Sequence, residues 1–164
     1  MNYTKIQIAV QCRISGPNLK SLPSSVDGIK LLWGLSGNES SFGIDCIPRY
    51  EPAYDIGGIY GDNQVMVPLL VKYGRAAACS YGPWQILFAN AESYGYTPDD
   101  LSDLSKVTQT TVSYLNFLLV RFKPTSLTGI GECWNAGHTM SIPPPGVARY
   151  VTDLVKNYSI VMPI

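Results

Sequence analysis

The feature that most constrains the fold of this chain is an apolar stripe between residues 106 and 122. The stripe consists of Val112, Leu115, Leu118, Leu119 and Phe122. Residues at these spacings share one face of an α-helix, and Pro124 cannot continue the pattern. The sequence therefore predicts a helix over 106–122, capped by Ser105, with its apolar face at the centre of the domain.

Weaker helical patterns lie on both sides of this segment. They predict helices over 26–37, 64–73, 126–135 and 147–155. Ser25 is the expected cap of the first, and a turn at Gly82-Pro83 is expected to lead into a helix that ends near Tyr94. Residues 1–25 show little periodicity and are expected to be irregular. We predict one mainly α domain over residues 1–164, with a long loop or small β-hairpin after the 26–37 helix.

The charge balance limits the classes of partner. Twelve basic residues face twelve acidic ones, so no global attraction to nucleic acid is expected. No apolar run is long enough to span a membrane, and the N-terminus lacks the apolar region of a secretory signal. We expect a monomer that has no membrane span and binds no nucleic acid.

The cysteines and the histidine give little support for a metal or cofactor. Cys12, Cys46, Cys79 and Cys133 are widely spaced, and His138 is the single histidine. The chain also lacks a phosphate-binding loop and a dinucleotide fingerprint, so we expect no cofactor and no metal. Cys46 and Cys79 form a disulfide in one interpretation, and the cysteines are buried free thiols in the other.

One carboxylate stands where a helical pattern meets a loop. Glu39 lies four residues after Leu35 and seven after Leu32, so in a continuous helix it shares their apolar face. A carboxylate on such a face either keeps its proton for acid chemistry or is an incidental acid at a helix end. In the first case Leu35, Phe42 and Trp84 are candidates for the apolar wall around it.

Four segments, taken in order, resemble the motifs of one enzyme family. They are Glu39-Ser40, Ser80-Tyr81-Gly82-Pro83-Trp84-Gln85-Ile86, Trp134-Asn135-Ala136-Gly137 and Tyr150-Val151. Together they resemble the lysozyme-like lytic transglycosylases, which cleave peptidoglycan glycan strands. The resemblance spans about residues 26–155. It implies a lysozyme-like fold with Glu39 as the catalytic acid, and substrate-binding roles for Ser40, Tyr81, Trp84, Gln85, Asn135 and Tyr150.

The chain departs from that family at three places. Trp84 stands where Met is frequent, and Trp134 stands where Tyr is common. The loop over 45–61 is longer than in many members and is more similar to phage cell-wall lysins. These differences bear on subsite preference and on the reaction product.

Five of the six substrate-binding candidates also have a purely structural interpretation. Gln85 binds an N-acetyl group or Glu39, or else is a structural amide at the start of a helix. Asn135 binds sugar or braces the chain beside Gly137. Tyr150 reaches the catalytic carboxylate or packs in the core. Tyr81 and Trp84 stack on sugar rings or are wholly buried.

The resemblance implies cleavage of the β-1,4 bond between MurNAc and GlcNAc with one glutamate as general acid and base. A hydrolytic muramidase instead requires a second carboxylate, at about 6.5–9.5 Å in an inverting enzyme. Glu51 is the first candidate, followed by Asp45 and Asp55. The alternative for Glu51 is an ion pair with Arg49 or Arg75 that orders the loop.

A third possibility is a non-catalytic module that binds cell wall, such as a virion component. For either an enzyme or a binder, the site of action is the cell wall, in the periplasm or outside the cell. Without a visible signal, we expect delivery by a phage or by another export route.

Overall fold

Seven α-helices form the frame of residues 2–164, the part of the chain that the computed structural model describes. They are α1 (Lys5–Ser15), α2 (Gly28–Ser40), α3 (Met66–Tyr73), α4 (Ala89–Glu92), α5 (Leu104–Phe122), α6 (Leu127–Ala136) and α7 (Pro145–Tyr158). Short 3₁₀ segments occupy Gly16–Asn18, Pro52–Tyr54, Gly74–Ala78 and Asp99–Ser102. Helices hold 58% of the residues, which confirms the predicted mainly α domain.

A small antiparallel sheet lies beside the helices. Its strands, in spatial order, are β1 (Arg49–Tyr50), β2 (Cys79–Tyr81) and β3 (Ile86–Leu87). Arg49 pairs with Ser80, and Ser80 pairs with Leu87 on its other side. The predicted loop after α2 therefore contains one short strand, β1, whose partner β2 belongs to a hairpin about thirty residues later.

Helix α5 carries the predicted stripe into the core. Val112, Leu115, Leu118 and Leu119 are buried, as the periodicity predicted. The predicted cap is wrong: Asp103 accepts the backbone N–H groups of Ser105 and Lys106 at 2.8 and 3.0 Å, so the helix begins at Leu104. A carboxylate at this position also favours the positive end of the helix dipole.

The first predicted helix has both ends displaced. Asp27, rather than Ser25, caps α2 by accepting the N–H groups of Ile29 and Lys30 at 2.8 and 3.0 Å. The helix then continues beyond Gly37 to Ser40, so Glu39 lies in its last turn. Leu32 and Leu35 are fully buried on this helix.

The expectation of an irregular N-terminal segment is wrong for residues 5–15, which form α1. Thr4 caps this helix through a reciprocal pair with Gln7, a signal that the sequence carries in Thr4-x-x-Gln7. The buried face consists of Ile8, Ala9 and Cys12. Ile6, Val10 and Ile14 are exposed on the opposite side, and they conceal the amphipathic pattern.

The helix expected to end near Tyr94 is also wrong. Residues 79–87 form the β2–β3 hairpin, and only Ala89–Glu92 are helical. The turn requires positive φ at Gly82 (72°) and at Gln85 (45°), and neither value is compatible with a helix. A Cβ at residue 82 would also lie 2.6 Å from Val107 Cγ2, so this turn needs glycine.

The remaining helices agree with the sequence within a few residues. Helix α6 is capped by Ser126 and ends at Gly137 in the left-handed conformation. Asn63 accepts the N–H groups of Val65 and Met66 at the start of α3. The C-terminal helix α7 extends the 147–155 pattern at both ends.

All four cysteines are free thiols, which contradicts the disulfide interpretation. Cys12, Cys46 and Cys133 are buried, and Cys79 is half-buried. Burial raises the pKa of the Cys12 thiol to about 12. None of the helices in residues 2–164 combines the length and the apolar character that a membrane span requires.

Candidate active site

The end of α2 directs Glu39 into a cavity. Ser41 and Phe42 follow the helix with φ of 52° and 62°, and Gly43 has φ of 89°. Three consecutive residues with positive φ turn the chain sharply away from the helix axis. A Cβ at Gly43 would lie 2.7 Å from Ile8 Cγ1, so glycine is required where this turn passes α1.

Two donors from the C-terminal helices converge on one oxygen of Glu39. The Tyr150 hydroxyl donates to Oε1 at 2.7 Å from α7, and the Trp134 indole N–H donates to it at 3.0 Å from α6. Arg49 Nη2 lies 3.7 Å from the other oxygen, Oε2. The Glu39 side chain is 9% exposed. It is therefore a nearly buried carboxyl group in a fixed orientation.

The surroundings of Glu39 raise its pKa above the usual value for glutamate. Burial is the main cause, because it removes water from the charged form. The hydrogen bonds from Tyr150 and Trp134 and the charge of Arg49 oppose the rise, while the negative charge of Glu51 adds to it. The pKa of Glu39 therefore moves toward neutral pH, where a general acid is most effective.

The hydrogen bonds also indicate which oxygen carries the proton. A protonated carboxyl group has one carbonyl oxygen and one hydroxyl oxygen. Oε1 already accepts two hydrogen bonds and fits the carbonyl role. The proton of the neutral form therefore belongs on Oε2, the oxygen that faces Arg49.

Helix α7 is fastened to α2 beside this carboxyl group. Asn38 Nδ2 donates to the Tyr150 carbonyl at 2.9 Å, and Asn157 Nδ2 donates to Asn38 Oδ1 at 2.7 Å. A Cβ at Gly34 would lie 3.0 Å from the Tyr158 backbone nitrogen, so glycine allows the two helices to approach closely. Tyr150 is thus placed by the packing of two helices rather than by a loop.

The opposite wall comes from the sheet. Arg49 Nε donates to Glu51 Oε1 at 2.8 Å, and the Ser80 hydroxyl lies 2.9 Å from the same carboxylate oxygen. Ser80 Oγ is also 2.9 Å from Gln85 Oε1, and its single proton serves one of these acceptors at a time. Gln85 Nε2 donates to the Gly82 carbonyl at 2.9 Å. Gln85 therefore uses one of its two amide N–H groups, and at most one lone pair of Oε1, within the hairpin.

Between the two walls lies a cavity of about 360 Å³. Charged groups, amides and aromatic rings line it, among them Glu39, Arg49, Glu51, Tyr54, Asn63, Gln85, Asn90, Tyr114, Trp134 and Asn135. The Tyr114 and Trp134 rings meet edge to face, with centroids 5.7 Å apart. Aromatic faces combined with amides suit a ligand that has both apolar faces and polar substituents, such as a sugar.

Several residues predicted from the sequence meet at this cavity. Glu39, Glu51, Gln85 and Asn135 line it, and Tyr150 reaches Glu39 directly. The ion pair between Arg49 and Glu51 is present, as the structural interpretation of Glu51 predicted. His138 is exposed in the loop after α6.

Three predicted substrate-binding residues lie away from the cavity lining and are buried. Trp84 is 0% exposed, and its indole N–H donates to the Leu32 carbonyl at 2.8 Å. Tyr81 is buried, with its hydroxyl donating to the Ala76 carbonyl. Ser40 is buried and donates to the Pro83 carbonyl at 2.8 Å. Trp84 and Ser40 thus join the hairpin to α2, and Tyr81 joins it to the 3₁₀ segment Gly74–Ala78.

The predicted apolar wall around Glu39 is also different. The Phe42 ring packs on Trp33 with centroids 4.4 Å apart, and Leu35 is fully buried in the core. Neither residue lines the cavity, and nor does Trp84. The groups that touch the Glu39 carboxyl are instead Trp134, Tyr150 and Arg49.

From the sequence, Arg49 was expected only as an ion-pair partner of Glu51, and Ser80, Trp134 and Tyr114 had no individual role. One signal for the sheet wall was available: Arg49 and Glu51 are two residues apart, and alternate residues of an extended chain lie on one side. For Trp134 the signal was its position beside Asn135 in the third motif. Tyr114 carried no signal of its own within the α5 pattern.

Within residues 2–164, no three His, Cys, Asp or Glu side chains lie together in a group that could hold a metal ion.

The comparisons with known proteins identify no relative. No family model matches the chain, and no curated protein or solved structure matches it. The class that the fold and the cavity define is a mainly α domain with one nearly buried carboxyl group at a polar, aromatic cavity.

Proposed function

We propose that this chain is a peptidoglycan-cleaving enzyme of lysozyme-like fold. It cuts the β-1,4 glycosidic bond between MurNAc and GlcNAc as a lytic transglycosylase, with Glu39 as the single general acid and base. The observation that carries the proposal is the environment of Glu39: nearly buried, with a raised pKa and two hydrogen-bond donors on one oxygen. The four ordered motifs support the same assignment.

The chemistry begins with a proton transfer. Protonated Glu39 donates from Oε2 to the glycosidic oxygen, which leaves as an alcohol while positive charge develops at the sugar C1. The carboxylate formed in this step keeps two donors, Tyr150 and Trp134, on its other oxygen. These donors stabilise the negative charge at the moment when it appears.

The second step returns the proton. Glu39, now a carboxylate, accepts the proton of the sugar 6-hydroxyl as that oxygen bonds to C1. The product is a 1,6-anhydro sugar, and the enzyme recovers its protonated acid. The N-acetyl group of the same sugar stabilises the positive charge between the steps, so no second carboxylate is required.

Hydrolysis is the second candidate, because Glu51 lines the same cavity as Glu39. In that case Glu51 activates a water molecule, and the product has a reducing end. Against this role, the Glu51 carboxylate is already bound by Arg49 and contacted by Ser80. Mass spectrometry of digested muropeptides separates the two reactions, because anhydro and reducing ends differ by one water.

The decisive test is Glu39→Gln assayed for release of fragments from purified peptidoglycan. We expect a loss of at least about 10²–10⁴-fold, the usual contribution of a general acid or base, with unchanged helical circular dichroism. Glu92→Gln is the matched control, because it makes the same chemical change at an exposed residue on α4.

The possible results separate the function classes. Full activity in Glu39→Gln excludes Glu39 as the acid. A wild-type protein that binds cell wall and releases no fragments is the non-catalytic module instead. Activity lost in Glu39→Gln and retained in Glu92→Gln supports the proposal.

A further inference from the structure

Arg49 contacts two carboxyl groups unequally. Its Nε is 2.8 Å from Glu51 Oε1, which is hydrogen-bonding distance. Its Nη2 is 3.7 Å from Glu39 Oε2, too far for a hydrogen bond but close enough for charge attraction. Arg49 therefore lies beside the proton-bearing oxygen of Glu39 while it is held by another acid.

Glu51 is well placed to restrain this guanidinium group. Its backbone N–H donates to the Ala78 carbonyl at 2.8 Å, which fixes the end of β1 beside the 74–78 segment. Its side-chain Oε1 also lies 2.9 Å from the Ser80 hydroxyl on β2. The Arg49 side chain is 56% exposed, so little else confines it. Without Glu51, the guanidinium would be free to move toward Glu39.

The elements packed around Glu39 present both charged and neutral groups to it. From α7 comes Tyr150, whose own pKa is raised well above the usual value by burial and by Glu39, so the phenol stays neutral. From α6 comes the uncharged indole of Trp134. Arg49 and Glu51 on the sheet side are the charges that act on Glu39.

We propose that Arg49 and Glu51 are a coupled pair of positioning residues: Glu51 holds the Arg49 guanidinium back from Glu39 Oε2, and this lets Glu39 keep its proton. The inference deepens the proposed function and rests on it for the purpose of that proton. In this arrangement Glu51 acts through Arg49 and through its own negative charge, and it activates no water.

The pair predicts opposite effects for its two members. Arg49→Gln removes a positive charge that favours the ionised form of Glu39, so the pKa of Glu39 rises. Glu51→Gln removes a negative charge and releases Arg49 toward Oε2, so the pKa of Glu39 falls. In the double variant no guanidinium remains to be released. Adding Glu51→Gln to Arg49→Gln therefore lowers the pKa of Glu39 only by the loss of one negative charge, which is a smaller change than in the wild-type background.

The direct test follows the Glu39 carboxyl carbon by ¹³C NMR through a pH titration. The chain has four glutamates, and loss of one signal in Glu39→Gln identifies the resonance. The titration midpoint is compared in wild type, Arg49→Gln, Glu51→Gln and the double variant. Arg75→Gln is the matched control, because Arg75 pairs with Asp55 of the same loop and not with Glu39. We expect its midpoint to equal that of wild type.

Opposite shifts in the two single variants, with a smaller Glu51→Gln effect in the double variant, support the inference. Unmoved midpoints, or shifts in the same direction, overturn it. In peptidoglycan cleavage, the alkaline limb of the pH profile should move with the midpoint. Glu51→Gln that abolishes cleavage at every pH also overturns it, because Glu51 is then the second catalytic carboxylate.

The titration distinguishes this inference from the proposed function. If the wild-type protein releases no fragments from peptidoglycan, the proposed function fails. The NMR midpoints still decide whether Arg49 and Glu51 control the protonation of Glu39, because they require no activity.

Discussion

The two walls of the cavity are built in different ways. The helical wall places Tyr150 and Trp134 on α7 and α6, and both donate to the same oxygen of Glu39. The sheet wall places Arg49 on the two-residue strand β1 and Glu51 directly after it, and the Arg49 side chain is more than half exposed. The first wall fixes an orientation, whereas the second supplies charges that solvent and ligand can reach.

This difference divides the work on one carboxyl group. Hydrogen bonds from packed helices determine which oxygen of Glu39 accepts and which one carries the proton. Charges on the sheet side adjust how strongly that proton is held. A rigid orientation and an adjustable proton affinity are thus provided by separate parts of the fold. Variants at each wall should therefore fail in different ways.

The largest expected effect is at the junction of the walls, where Trp84 attaches the hairpin to α2. Trp84→Ala removes a fully buried ring and the indole bond to the Leu32 carbonyl. We expect the free energy of unfolding to fall by about 3–5 kcal/mol, the usual cost of such a cavity. Urea unfolding followed by circular dichroism measures this loss.

A second measurement on the same variant tests whether Trp84 affects ligand binding only through the stability of the fold. At temperatures where Trp84→Ala is still folded, binding of glycan fragments should be close to that of wild type, because Trp84 lies outside the cavity. If Trp84→Ala instead keeps wild-type stability and loses glycan binding, Trp84 contacts the sugar directly. It would then belong to the cavity wall and not only to the contact between the hairpin and α2.

The sequence was most informative where local pattern and packing agree. The α5 stripe is apolar at helical spacing, and four of its five residues are buried as predicted. Two signals indicate Glu39 as the candidate acid: its position after Leu32 and Leu35, and the resemblance to known motifs. Both kinds of signal are local in the chain.

The missed features depend on long-range geometry. Trp84 and Gln85 are neighbours in sequence, yet a turn with positive φ at Gln85 sends one ring into the core and one amide to the cavity. Arg49 meets Glu39 only because β1 pairs with β2 thirty residues later. Neither outcome follows from residue spacing along the chain.

An intermediate effect is expected at the helical wall from Tyr150→Phe. The change removes the 2.7 Å hydrogen bond to Glu39 and keeps the ring. Since a hydrogen bond to a charged group contributes about 1.5–3 kcal/mol, we expect cleavage to fall roughly 10- to 100-fold. The pKa of Glu39 should rise, because a donor that stabilises the ionised form is lost, and the alkaline limb should move to higher pH.

Tyr81→Phe is the matched control for this variant. It removes a hydroxyl that donates to the Ala76 carbonyl, away from Glu39. We expect about 1 kcal/mol of lost stability and no change in the pH profile. Similar activity losses in the two variants would mean that Tyr150 serves only the packing of α7.

The smallest expected effect concerns the cost of holding Glu39 in place. Its pKa is higher in the folded protein than in the unfolded chain, because burial disfavours the charge. The stability that protonated Glu39 contributes is complete below the unfolded pKa and is lost as pH rises through the folded pKa. At pH 7 the wild-type protein therefore carries a penalty that a neutral side chain avoids.

Glu39→Gln removes this penalty and keeps an oxygen to accept from Tyr150 and Trp134. We expect it to be more stable than wild type at pH 7 by on the order of 1 kcal/mol, or about 2–4 °C in Tm for a chain of this size. The advantage should shrink as pH falls below the unfolded pKa of glutamate, where wild-type Glu39 is protonated in both states. Thermal melts of the two proteins across that range measure it. A Glu39→Gln variant that is less stable than wild type at pH 7 would contradict this expectation. It would show that the attraction between Arg49 and ionised Glu39 stabilises the folded protein by more than burial of the charge destabilises it.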